Sequence, residues 1–341
     1  MSTTAVRTST TSPEPTRVST LRRGLRAIGA QNLSLVAAIV AVMLFIGSQN
    51  SAFYLTSNLK TIGMAVTISG LLAIVQTVVI VMGGIDLSVG SVAGLASVSS
   101  AMLFTHFGAG VSILGALAIG AVCGVVSGCI VVFGRVTPMI ATLAGLIAFK
   151  GVAQLISDGR AQGYTGADNV YIFLARGSMI GIPTLVWVLA VVAMAVHVLL
   201  RYTRVGRNIY AVGGNDTAAR LSGVNINRYI IGVFVLAGAV AALAGVLITA
   251  RTGSGQPISG SEGLEFQSIT AAALGGVALR GGKGTIGGTI LAVVLLGVLL
   301  NGMSLLGVNP FWQNVAQGSL LIAAVVIQQL RNGERRVGLP K

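Results

Sequence analysis

Ten apolar segments, each about the length needed to cross a bilayer as a helix, dominate the chain of 341 residues. They fall at roughly 31–49, 60–82, 87–107, 110–134, 137–157, 182–201, 229–250, 264–280, 285–307 and 312–330. The eighth is short, and glycines interrupt the start of the third. The segments are too long for barrel strands and lack strict alternation. In lipid each must satisfy its own backbone hydrogen bonds, so each is expected to be helical. Only 9% of residues are charged and 54% are hydrophobic, too little polar surface to cover a soluble core of this size. The expectation is an all-α integral membrane protein, which excludes a soluble enzyme, a secreted disulfide scaffold and a nucleic-acid-binding domain.

The charges orient the bundle. The formal net charge is +14, from 22 Lys+Arg against 8 Asp+Glu. With ten spans and the N-terminus inside, 17 basic residues fall in inner segments and 4 in outer ones, Lys150 lying within the fifth span. This is the bias expected of cytoplasmic loops, so both termini are expected in the cytoplasm and the basic balance implies no nucleic acid. Residues 1–30 read as a polar, disordered cytoplasmic tail rich in Ser and Thr. Residues 31–330 are the transmembrane domain, and 331–341 a short cytoplasmic tail. The charged leader is long and no small-residue cleavage site is evident, so the first apolar run reads as an uncleaved helix. Glycine at 47 positions suits closely packed membrane helices, with Gly120, Gly124 and Gly128 spaced for one contact face. Cys123 and Cys129 are too few for a disulfide framework or a metal site and read as core residues.

Three segments could carry chemistry. Met82-Gly83-Gly84-Ile85-Asp86-Leu87-Ser88-Val89-Gly90-Ser91 breaks the helical pattern with two glycines. Asp86 is placed to cap the third helix. It is also an acidic group within a spanning region, which points to function, and a discontinuous helix there would turn free backbone groups toward a polar pathway. Gly84, Asp86, Ser88 and Gly90, with Gln76 and Asn301 from neighbouring spans, are the pathway candidates. The inner loop contains Asn215-Asp216-Thr217-Ala218-Ala219-Arg220-Leu221-Ser222-Gly223, where Asn215 or Asp216 can cap a helix over about 217–222 and Gly223 can end it. It is either a solvated loop or a peg for a cytoplasmic partner. The stretch from Leu274 to Gly288 invites a phosphate-loop reading, but Val277 and Gly284 stand where that pattern needs Gly and Ser/Thr. It reads as a tight inner turn, followed by a small-residue helix contact at Gly284 and Gly288. Lys150 is expected to snorkel to the outer interface. His106 and His197 read as interface or packing residues, and Gln154 and Gln317, like Gln76 and Asn301, as interhelical hydrogen-bonding groups. Glu262 and Glu265, at the outer start of the eighth span, read as solvated.

The stretches 83–91, 137–143 (Thr-Pro-Met-Ile-Ala-Thr-Leu), 206–215 and 275–288 closely resemble, in order, the permease subunits of bacterial ribose-type ABC importers. The resemblance runs from about residue 33 to 330. It implies a multi-pass permease of the bacterial cell membrane for a small sugar or polyol, working by alternating access. It implies a second permease subunit, as a homodimer, a separate cytoplasmic ABC ATPase and an extracytoplasmic sugar-binding protein. The chain itself would be no enzyme and hold no cofactor, ATP being bound by the partner. Residues 215–223 would form the helix that couples to the ATPase, and the Asp86 segment would lie beside the pathway. Lys150-Gly151 stands where the family often has Arg-Gly. The alternative is an ion-coupled secondary transporter of a small polar solute, for which Asp86 is the one good ionisable group.

Overall fold

A computed structural model describes residues 30–163, 165–258 and 261–331 of the chain. The tails expected at 1–30 and 331–341 lie outside the described residues, except Ala30 and Arg331, which end the first and last helices. The helices are α1 (Ala30–Gln49), α2 (Thr56–Val81), α3 (Val89–Phe133), α4 (Pro138–Ser157), α5 (Asn169–Arg176) and α6 (Thr184–Tyr202). They continue with α7 (Arg204–Gly214), α8 (Asp216–Leu221), α9 (Ile226–Thr252), α10 (Leu264–Leu274), α11 (Ile286–Leu305) and α12 (Pro310–Arg331). A hairpin of two-residue strands, Ser178–Met179 and Ile182–Pro183, sits in the outer loop before α6.

Among the described residues, eight helices are long and apolar enough to cross a membrane. One of them, α3, is two helices end to end. Gly108 breaks it with φ 76° and ψ 178°, a conformation open to glycine and strained for other residues. The two halves match the third and fourth expected spans. The eighth expected span, 264–280, is corrected. Its helix, α10, has 11 residues, about 16 Å at 1.5 Å per residue and half a bilayer core. It stops where Gly275 meets the backbone of Gly288 and Thr289 on α11 and Gly276 takes φ 86°.

At the centre stands α2. Every residue from Val66 to Val81 is buried, as a helix apolar on all sides requires. The most extensive pairing is α3 against α9. Gly120 lies on the backbone of Gly238, Gly124 on that of Phe234 and Gly128 on that of Ile231, so the expected small-residue face is real. Gly284 and Gly288 make no such pair. Gly284 precedes α11 and sits against Val81 and Val277, while Gly288 alone is helical and contacts Gly275. The Gly-rich stretch is the inner turn expected of it, closed by Ala278 N–H on Lys283 O (2.9 Å) and Gly281 N–H on Ala278 O (2.8 Å).

The described residues between α9 and α10, 253–258 and 261–263, pack back against α3. Gly255 lies over Ser97, Val98 and Ala101 of α3, Gly94 against Pro257 and Ser261, and Gly90 against Ser261 and Glu265. These contacts step along α3 from residues 97–101 to its first turn, so that α10 begins beside the start of α3.

Candidate functional site

The first part of the site is the break between α2 and α3. Met82 and Gly83 end α2, and Gly83 takes φ 99°. Asp86 is 4% exposed. Its Oδ1 accepts from the Ser88 N–H (2.8 Å) and the Ser88 hydroxyl (2.6 Å). The helix-cap position belongs to Ser88, which makes no side-chain cap bond. Asp86, expected to cap α3, instead folds the approach to it by an Asx-type turn, two residues ahead of the observed cap at Ser88. Two other helices hold the same turn. Thr142, one turn into α4, accepts from the Leu87 N–H (3.1 Å) and donates to the Ile85 carbonyl (3.2 Å). Gln76, inside α2, meets the backbone of Asp86 in the amide orientation that satisfies both its atoms. Its nitrogen then donates to the carbonyl at 3.0 Å and its oxygen accepts from the N–H at 3.2 Å.

The second part is polar and comes from the segment that leads into α10. Glu265 is 7% exposed, lies against Gly90, and interacts electrostatically with Glu262 and Lys150. Lys150 Nζ bonds Glu262 Oε1 at 2.8 Å. Glu265, expected to be solvated, is instead buried against Gly90, while Lys150 stays partly exposed and pairs with Glu262. Of the pathway candidates, Gly84, Asp86, Ser88, Gly90 and Gln76 converge on this region. Gly84 lies against Pro138 of α4. Asn301 does not join them. It pairs reciprocally with Asn58, both bonds 3.0 Å, tying the C-terminal part of α11 to the start of α2.

The third part is the pair of short helices α7 and α8. Asn215 is extended at φ −161° and ψ 101°, ends α7 and caps α8, its Oδ1 accepting from the Ala218 N–H at 2.9 Å. Asp216 Oδ1 accepts from the Thr217 N–H (2.7 Å), and the Ser222 hydroxyl donates to the Ala218 carbonyl (2.9 Å). Gly223, at φ 85°, closes the helix with its N–H on Arg220 O (3.0 Å). The helix covers 216–221, one residue from its expected range. Ala219 is buried; Asp216, Thr217, Ala218, Arg220, Leu221, Ser222 and Gly223 are exposed, with Leu221 at 85%.

Sequence reasoning misses α7 and reads its residues as loop. Gly206, Ile209 and Val212 bury one face of it, and the apolar spacing Val205, Ile209, Val212 is the available signal. The helix joins α8 to the core. The Tyr210 hydroxyl donates to Gly284 O at 2.6 Å. Burial pushes this phenol above its ordinary pKa, so it stays a neutral donor. Gly213 is pressed between the Val81 carbonyl and the Gly282 amide, which bond each other at 2.8 Å, and Gly281 lies on Gly83. An unbroken backbone contact therefore runs from α8 through α7 to the loop that carries Asp86.

Among the described residues no cluster of His, Cys, Asp and Glu could hold a metal ion. Cys123 is buried and Cys129 half-buried, and both thiols are free.

A bundle of membrane-length helices broken at Gly83-Gly84, with buried polar groups at the break, is the architecture of a multi-pass membrane protein. Residues 58–325 match the family described as the permease component of the branched-chain amino acid transport system. The ribose import permease of Escherichia coli strain K12 is 38% identical over 297 residues, covering 86% of this chain and 92% of that one. The ribose import permease of Bacillus subtilis strain 168 is 35% identical over 89% and 94%. The L-arabinose transport system permease of Escherichia coli strain K12 is 35% identical over 82% and 84%. No solved structure matches. The chain belongs to this permease family and, within it, to the ribose-type permeases of bacterial ABC importers, multi-pass proteins of the cell membrane.

Proposed function

We propose that the chain carries a small neutral sugar or polyol inward by alternating access, paired with a second copy of itself. A cytoplasmic ATPase drives it and an extracytoplasmic sugar-binding protein loads it. The chain holds no cofactor; ATP belongs to the partner. The ribose and arabinose named for its relatives set the substrate class. The observation that carries the reading is the exposed α8 joined by α7 to the Asp86 loop. A force applied by an ATPase at Asn215–Gly223 reaches Gly213, then Val81 and Gly282, then residues 82–88. Few ionisable groups lie in the interior, as suits a neutral solute held by a small number of polar partners.

The test is purification of the tagged permease from gently solubilised membranes, followed by identification of its companions and assay of uptake. A stoichiometric ATPase and loss of uptake without it are expected. Uptake that persists in cells lacking every such ATPase would overturn the proposal.

A further inference from the structure

Lys150 and Glu262 stand 112 positions apart in sequence and meet at 2.8 Å. Lys150 is the thirteenth residue of α4. At 1.5 Å per residue it lies about 18 Å from the inner end of that helix and about 10 Å from the outer. The pair is therefore at hydrocarbon depth, yet its side chains are 35% and 66% exposed. A carboxylate so open to acyl chains is expensive, and charged groups in spanning regions face a bundle interior or a water-filled cavity. Gly151 beside it leaves open space where a Cβ would stand. Behind the pair sits the buried carboxyl of Glu265, in electrostatic contact with both partners.

We infer that this face of α4 and the segment that leads into α10 is a solute station of the pathway. Here Lys150 and Glu262 together bind the hydroxyls of a neutral polyol. An ammonium has three donors and a carboxylate about four acceptor sites, and their mutual bond uses one of each. A vicinal diol fits what is left: one hydroxyl oxygen accepts from Lys150 Nζ and the neighbouring hydroxyl donates to Glu262. Two carboxyl groups around one ammonium disfavour an anionic solute. The inference rests on the permease reading above and adds to it the residues that touch the cargo and the charge they reject.

The experiment uses the full transporter with Cys123 and Cys129 changed to alanine. Glu262→Cys is compared with Val191→Cys, an exposed apolar position of α6. A small charged thiol reagent is applied to whole cells and to inside-out vesicles. The Glu262→Cys variant is expected to react from at least one side and the Val191→Cys variant from neither. A panel of neutral pentoses, hexoses and polyols should contain one that slows labelling of the Gly151→Cys variant, which keeps the ion pair, by about threefold, the protection given by free sugar at about twice its Kd. The same sugar should slow labelling of Glu262→Cys less, because that variant lacks the carboxylate. Lys150→Glu with Glu262→Lys should restore uptake that each single change abolishes. Inert thiols in both the Glu262→Cys and the Gly151→Cys variants, or labelling of Gly151→Cys that no neutral sugar slows, overturns the inference. ATP-driven uptake by the cysteine-free parent is scored separately. Its failure to need an ATPase would sink the proposed function, whereas an active parent with inert probes sinks only this station.

Discussion

The side chain of Gln76 pairs with both backbone groups of Asp86, amide nitrogen to carbonyl at 3.0 Å and amide oxygen to N–H at 3.2 Å. A side chain from the most buried helix thus does for the broken segment what a neighbouring turn of helix would have done. The break between α2 and α3 is anchored rather than left loose, because a buried N–H or C=O without a partner is costly.

Gln76→Leu removes both bonds and keeps the bulk. Each orphaned backbone group costs about 1–3 kcal/mol. The solubilised protein should lose thermal stability, read as the temperature at which half of it aggregates. A midpoint equal to the parent's would show that the 82–88 loop is anchored by Thr142 and Asp86 alone.

Asp86 separates the two transport mechanisms. Asn keeps the oxygen that accepts from the Ser88 N–H and hydroxyl, so Asp86→Asn should insert and transport much like the parent. Asp86→Ala loses two bonds of about 1 kcal/mol each and should lower yield and uptake together. Full membrane levels of Asp86→Asn with no uptake would mean that the charge itself is needed, and an ion-coupled carrier would become the better reading.

How far the sequence reaches depends on the range of the signals. The α8 helix is legible to one residue because its cap, Asn215, and its stop, Gly223, act on their own neighbours. The Asp86 break is legible because Gly83-Gly84 interrupts a long apolar run, and Gly120, Gly124 and Gly128 because their spacing matches a helix face. The packing of Gly255, Pro257 and Ser261 against α3 is not. An apolar run over 264–280 has the composition of a span whether or not its helix stops at Leu274, and only contacts with α3 and α11 decide where it stops. The Lys150–Glu262 and Asn58–Asn301 pairs, 112 and 243 positions apart, leave no local trace. The α7 helix is readable from Val205, Ile209 and Val212, but its arginines and glycines have the composition of a loop.

The α3–α9 crossing offers a matched pair of glycines. A Cβ at Gly124 would meet the carbonyl of Phe234 and the Cα of Val235, both backbone, whereas one at Gly232 meets nothing within 4 Å. Gly124→Ala must push two helices apart, an overpacking cost of about 1–3 kcal/mol. Gly232→Ala should be neutral or stabilise by up to about 1 kcal/mol through helix propensity. Thermal aggregation midpoints should fall for the first and hold for the second. Equal midpoints would show that the crossing is looser than its geometry.

Gly213 and Gly214 test the coupling route itself. A Cβ at Gly213 would strike the Val81 carbonyl and come within 2.8 Å of the Gly282 amide, while Gly214 has open space. Both residues lie in the last turn of α7, so intrinsic propensity treats them alike. Gly213→Ala must therefore lift α7 from the end of α2 and from the inner turn, yet leave α8, capped by Asn215, intact for its partner. Membrane level and ATPase association should stay near normal in both variants. Uptake should fall severalfold in Gly213→Ala, since one such backbone clash of about 1–3 kcal/mol is enough to shift a conformational equilibrium by about fivefold or more. Gly214→Ala should transport normally. If the two variants transport equally well, the contact at Val81 does not carry the stroke, and coupling must pass instead through Tyr210 and the carbonyl of Gly284.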